Sequence, residues 1–423
     1  MPLELGCVRA VDVVVFGSGP AGATAALCLA RAGTDVLLVE RPRHQLITIG
    51  EGLPPTVHPM LATLGLWDQF QAAGHLPSYG NRSAWGSPAL AERDFLFNPY
   101  GHGWHLDRAA FDRMLVTAAR HAGAHHAITP AARWHPAGAD QGDGVVEIRP
   151  DAGPIALHAQ AVLDCTGRAA HVAQRLGARR IHHDKLVAVA TVHTAADVGD
   201  NDSSTLVEAV QDGWWYTALL PDHRRIFVYL TDGDLVHTAT VHDLDQWLAR
   251  LRRTEHMRRR YEEFGYHPAT GPMVLPAGSS TLQPAGDARR RWLAAGDAAI
   301  SVDPLSSQGI LTAIMHGRLA AASILEVLDG QLDAADTYQA AVDRVGRDYL
   351  QQRSAYYRCE LRWPESTFWQ RRRSARRAID ANAAAMFRRR GSPAQWHSKR
   401  DALPSSIATR QDAAALRTVA AEG

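Results

Sequence analysis

The sequence predicts an α/β fold: a dinucleotide-type βαβ layer, an antiparallel sheet inserted into it, and a helical C-terminal region. Three observations carry this. A β-branched run, a glycine turn, an Ala/Leu-rich helix and a second apolar strand succeed one another over residues 11–40. Seven strand-like runs then accumulate from VVEIR to RRIFVYLT, several with no helical stretch between them, as in antiparallel sheets. Beyond Gln331 the spacing of apolar residues is almost entirely helical. Residues 10–78, 101–185 and 288–330 are expected to form the first layer, 79–100 and 186–287 the inserted sheet, and 331–423 the C-terminal region.

Each element has a local cause. The stretch DRAAFDRMLVTAARHAG places Phe111, Leu115, Ala118 and Ala119 on one helical face behind a capping Asp107. The loop GEGLPPTVHP is too rich in Gly and Pro to be helical until about Met60. The 423 residues are 46% hydrophobic, enough for a large core. A net charge of +1 predicts no field for nucleic acid. No uninterrupted apolar run reaches about 18 residues, so no membrane partner is expected. Cys7, Cys28, Cys165 and Cys359 are scattered with no metal-ligand spacing, so no metal site is expected. With no secretory signal, a cytoplasmic setting is. Charge is uneven, however: between Arg353 and Arg400 twelve arginines and one lysine stand against three acids. That segment is expected to meet something acidic.

The strongest chemical signal is G-x-G-x-x-G at Gly17, Gly19 and Gly22, directly after a strand and opening a helix. Gly17 permits the turn, Gly19 lets backbone approach a pyrophosphate, and Gly22 allows close helix packing. Pro20 and Ala21 begin the helix whose N-terminus faces the phosphates. Glu40 ends the second strand where an acid accepts both ribose hydroxyls, and Arg41 follows it. Far downstream, WLAAGDAAISVDPLSSQGI runs from strand to Gly296-Asp297, then Asp303-Pro304, then a helix opening at Gln308, Gly309 and Ile310. A helix start there would stabilise negative charge.

This second motif resembles the GD motif of p-hydroxybenzoate hydroxylase-type flavoproteins, which makes FAD the expected cofactor and the fold a Rossmann-like FAD-binding domain with an inserted sheet. The resemblance implies that Asp297 holds the ribityl chain, that Arg108 in LDRAAFDRML reaches the diphosphate, and that Asp164 and Gly167 in AVLDCTGR shape a turn beside it. Gly50 belongs to GEGLPP, which, with DPLSSQG, is most similar to flavin-dependent tryptophan halogenases and their non-halogenating relatives. The halogenase lysine lies about thirty residues past the GE motif, where this chain has Asn81 and Arg82 before Trp85; its only lysines are Lys185 and Lys399. Ser306 stands where halogenases carry an acid, and their W-x-W-x-I-P segment is reduced to GWWYTALLP.

Direct oxygen transfer is therefore expected: O₂ as co-substrate, a C4a-hydroperoxide, and an aromatic acceptor hydroxylated beside Pro304 and the 50–55 loop. Glu51, His58, Asp303, Ser307 and His316 are the candidate polar helpers, since a base that removes an aromatic N–H or O–H proton raises nucleophilicity. Electrons come from NAD(P)H or a separate reductase. The C-terminal YYRCELRWPESTFWQRRR resembles maturation flavoproteins that hydroxylate a tryptophan residue of a partner protein in tryptophylquinone biogenesis. A small-molecule aromatic hydroxylase, a halogenase and a non-catalytic flavoprotein scaffold remain open at this point.

Overall fold

The valine-rich strand Ala10–Phe16 is buried on both faces, which its uninterrupted run of β-branched residues allows. In this computed structural model residues 10–42, 49–138, 143–149, 153–195, 199–236 and 242–374 are described. Cys7, Lys399 and the arginines beyond Arg373 lie outside them. Ala10–Phe16 is the centre of a parallel layer ordered Trp292–Ala294, Ile155–Asp164, Ala10–Phe16, Val36–Glu40, His125–Ile128. PIALHA and AVLDCTG, two runs in the sequence, form the single ten-residue strand Ile155–Asp164. Its first half pairs antiparallel with Gly144–Ile148.

Helix Pro20–Arg31 packs between helices Arg108–His121 and Gly309–Leu328. Asp107 caps the former by accepting from Ala110 N at 2.9 Å. Helix Gly309–Leu328 is long and apolar enough to cross a membrane by composition, which the sequence reading missed. Most of it is buried in the body, and its apolarity serves the core. Gly317 sets this packing: a Cβ there would run into Ala21 O.

The second sheet is ordered His267–Pro268, Leu186–Thr194, Arg225–Asp232, Gly213–Leu219, Thr205–Val210, Gly80–Ala84, Ala91–Asp94. All pairs are antiparallel except Thr205–Val210 with Gly80–Ala84. Alternation splits its side chains. Trp214 and Tyr216 face one cluster with Tyr357, Phe368 and Trp369, while Trp215, Phe227 and Tyr229 face another with Trp247 and Met257. Helix Ala334–Arg358 lies across the first layer, where Tyr338 Oη donates to Ala294 O at 2.6 Å. The described residues up to Arg372 belong to one compact unit.

Candidate functional site

Gly17 sits at φ +102°, and a Cβ there would collide with the Cys165 carbonyl; in Gly22 it would collide with Gly17 O. The turn therefore accepts only glycine at both places. Gly19 is the N-cap of helix Pro20–Arg31, and no side chain caps that end, so its first N–H groups face outward. Glu40 closes its strand, with Oε2 2.9 Å from His126 Nε2. Arg41 is exposed and reaches Pro130 O at 3.5 Å. Asp164 is committed inward: one oxygen accepts from Thr166 N and Oγ1, the other from Val172 N and Ala173 N. It fixes the turn carrying Gly167, and no lone pair is left to face a ligand.

Beside this turn lies a basic cluster that the sequence did not announce. Asp297 follows Gly296, which sits at φ +62° against Ala21. About a third of the Asp297 side chain remains open, yet desolvation pushes its pKa up, opposed by the charges of Arg168, Arg180 and Arg108. Arg168 Nε lies 3.4 Å from the carboxylate. Arg108 donates to Ile49 O at 2.8 Å and Gly50 O at 3.1 Å, tying the helix to the GE loop. Arg108 Nε and Arg180 Nε are buried with no hydrogen-bond partner. Arg168 and Arg180 spend their terminal nitrogens on Gly278 O, Val302 O, Ser280 Oγ and Ala298 O, so their net charge around Asp297, with the unsatisfied Nε–H of Arg108 and Arg180, is what suits the diphosphate of a dinucleotide. Only the Arg108 contribution was legible as a motif, because Arg168 and Arg180 come from other segments and meet only in the fold.

Further candidate helpers lie in the 50–55 loop and in residues 303–310. Glu51 is buried, accepting from Gly50 N at 3.1 Å, and its carboxyl hydrogen-bonds the Tyr216 hydroxyl. Burial raises the pKa of Glu51, against the pull of backbone N–H groups, Arg108 and Tyr216. Burial and the Glu51 charge drive the Tyr216 phenol well above its ordinary value, so it stays protonated. His58 stacks on Trp67 at 4.0 Å. Pro304 opens a short turn that ends at Ser307, which is exposed at φ +50°. Gln308 and Gly309 then begin helix Gly309–Leu328, again without a side-chain cap, while Ile310 is buried.

Two expected helpers are placed otherwise. Asp303 is no free base: Oδ1 accepts from Leu305 N, while Oδ2 accepts from Tyr357 Oη at 2.7 Å and Arg353 Nε at 3.3 Å. Its own N–H donates to Tyr349 Oη at 2.6 Å. His316 is buried in helix packing with neither ring nitrogen hydrogen-bonded, and desolvation lowers its pKa to about 4. It is a neutral core residue rather than a proton acceptor for a substrate.

The FAD binding domain family model matches residues 10–353. The chain belongs to this family. A protein of Marinomonas mediterranea named as an FAD-dependent oxidoreductase, LodB, is 29% identical over 373 residues, 86% of this chain and 97% of LodB. Among solved structures, the myxobacterial halogenase CndH superposes with TM-score 0.77 at 24% identity, covering 89% of this chain and 90% of CndH. The peptidyl tryptophan dihydroxylase QhpG superposes with TM-score 0.70 at 24% identity, covering 86% and 79%. The fold is thus that of FAD-binding halogenases and hydroxylases, and the glycine turn and basic cluster fit FAD.

Proposed function

We propose that this chain is a flavin-dependent monooxygenase that hydroxylates an indole ring, that of a tryptophan residue in a partner protein. The observation that carries the reading is the buried Glu51–Tyr216 pair, where the FAD-binding layer meets the antiparallel sheet. FAD, held by Gly17, Gly19, Glu40, Arg108 and Asp297, supplies the activation of O₂ when reduced, with electrons from NAD(P)H or a separate reductase. Glu51, ionised above its raised pKa, accepts a proton from the ring nitrogen and makes the indole a better nucleophile. The Tyr216 hydroxyl orients that carboxyl. Trp85, Trp214 and Tyr357 pack with ring separations of 5.6 to 6.3 Å in the same core cluster as Tyr216 and fix its ring. QhpG, whose substrate is a peptidyl tryptophan, supports the acceptor class.

Halogenation is disfavoured by where the candidate cations lie and what they pair with. Lys185 is ion-paired with Asp234 at 2.9 Å, and Arg82, near the position where halogenases carry their lysine, pairs with Asp202 and Glu92. The test is intact mass of a tryptophan-bearing peptide after incubation with reduced enzyme, O₂ and bromide. Gain of one or two oxygens on Trp is expected. A brominated indole, or oxygen gained by free indole alone, overturns the reading.

A further inference from the structure

Strand Val36–Glu40 pairs in parallel with His125–Ile128, with Leu38 opposite His126 and Glu40 opposite Ile128. Side chains of a strand alternate between faces, so Leu38, Glu40 and His126 share one face of the layer and His126 lies diagonal to Glu40. That diagonal brings His126 Nε2 within 2.9 Å of Glu40 Oε2, with the two side chains 10% and 23% exposed. On the opposite face the register repeats the arrangement: His125, opposite Leu37, reaches Asp35 at 3.1 Å. The His125 pair is the more exposed and stands at the amino end of Val36–Glu40. The His126 pair stands at the carboxyl end, where parallel layers bind their ligands.

The main chain at Glu40 is fixed from both flanks. Gly17 N donates to Val39 O at 2.8 Å, which seats Glu40 against the glycine turn, and Thr129 N donates to Glu40 O at 2.8 Å from the other side. Three side-chain torsions remain, and a carboxylate turning about them presents its oxygens to a ribose in only a few rotamers. A carboxylate only accepts, so Nε2 of His126 carries the proton of this bond and holds Oε2 in one place. An oxygen with one lone pair engaged by an imidazole still accepts from a hydroxyl. The bond therefore orders the acid without consuming it, in contrast to Asp164, where each oxygen accepts two internal donors.

We propose that His126 is a positioning residue of the cofactor site, donating from Nε2 to Glu40 so that its carboxylate is set to receive the adenosine ribose hydroxyls of FAD. Ordering the acceptor before the cofactor arrives removes an entropic cost from binding, and the gain falls only on a ribose that carries its hydroxyls. This deepens the cofactor reading above and rests on its assignment of Glu40 to the ribose, but not on which molecule is oxidised.

The experiment follows flavin release by fluorescence as the full FAD-loaded chain is diluted, and again for the chain loaded with a flavin dinucleotide whose adenosine ribose lacks both free hydroxyls. His126→Phe keeps an aromatic ring and removes the donor. It should raise the dissociation constant of FAD about tenfold and leave that of the dideoxy analogue within about twofold of its value in the unaltered chain. His126→Gln, whose amide N–H donates to the same oxygen, should recover most of the affinity for FAD. Added to Glu40→Ala, His126→Phe should bring no further loss, because the two residues act as one unit. His126→Asn, whose shorter amide falls short of Oε2, repeats the comparison where the fold does not accommodate Phe. Equal weakening of FAD and the analogue overturns the proposal and makes His126 a residue that merely holds the strand. So does full FAD affinity in His126→Phe where Glu40→Ala weakens it, or additive losses in the double variant. If Glu40→Ala weakens FAD no more than it weakens the analogue, the ribose assignment of Glu40 falls first, and the role of His126 falls with it.

Discussion

In the proposed function Glu51 is the proton acceptor, and its environment opposes its charge. A carboxyl whose folded pKa exceeds its unfolded value contributes stability that is complete below the unfolded value of 4.5 and is lost as pH rises through the folded one. The same displacement makes it a better base once ionised, so the rate should rise with pH along a limb lying above the usual carboxylate range. Glu51→Gln is expected to lower oxygen transfer about 10²–10⁴-fold while flavin remains bound, to remove the acid limb, and to leave thermal stability at neutral pH equal or higher. Equal loss of flavin and activity would show instead that Glu51 holds the loop. Glu51 was legible because it stands beside glycines in a motif; Tyr216 was visible only as part of a degraded one. Asp303 was misread for a physical reason: its sequence neighbours are turn residues, while all the groups that consume its second oxygen come from a helix some fifty residues later.

That helix explains what the sequence concealed at the next scale. Tyr349, Arg353 and Tyr357 recur every four residues and so lie on one face of helix Ala334–Arg358. All three converge on Asp303. Arg353 also lies 2.8 Å from Asp184, and Tyr357 accepts from Trp214 Nε1 at 3.0 Å. The pattern reads as a helix with an aromatic stripe, which it is. Its polar tips clamp the turn that opens helix Gly309–Leu328, and no periodicity reports that. Tyr357→Phe should cost about 1–3 kcal/mol, since Trp214 and Asp303 each lose a buried partner. Arg353→Met should cost about 3–5 kcal/mol by leaving two buried carboxylates uncompensated. Urea unfolding of the FAD-loaded protein measures both, and a smaller loss for Arg353→Met than for Tyr357→Phe would contradict the clamp. The parallel layer and long hydrophobic strands were legible throughout, because βαβ order and alternation are local signals. The uncapped helix starts at Pro20 and Gly309 were legible from their glycines for the same reason.

Across the whole molecule, the basic C-terminal stretch changes meaning. Arg353, Arg362, Arg371 and Arg372, which in sequence belong to an apparent field for an acidic partner, are spent on Asp184, Asp303, Glu360, Asp232 and Asp234. Arg372 lies 3.4 Å over the Phe368 ring and is almost wholly buried, so its role is to brace the C-terminal segment on the antiparallel sheet. Such pairs make the fold acid-sensitive. Burial would raise Asp184 and Glu360, yet Arg353 holds the first below its ordinary value and Arg362 the second. On the far side of the sheet burial likewise opposes Asp202, which Ser204, Arg260 and Arg82 bring down to about 2. A carboxylate with a depressed folded pKa stabilises the protein above its unfolded value, 3.8 for Asp, and that stability disappears as pH falls through the folded one. The melting temperature of the FAD-loaded chain should therefore hold near neutrality and fall steeply between about pH 4 and pH 2. Arg372→Ala, which leaves buried Asp232 with Arg371 as its remaining guanidinium, should lower it at neutral pH. A melting temperature unchanged by Arg372→Ala at neutral pH would free the arginine for a partner and restore the electrostatic reading of the C-terminal segment.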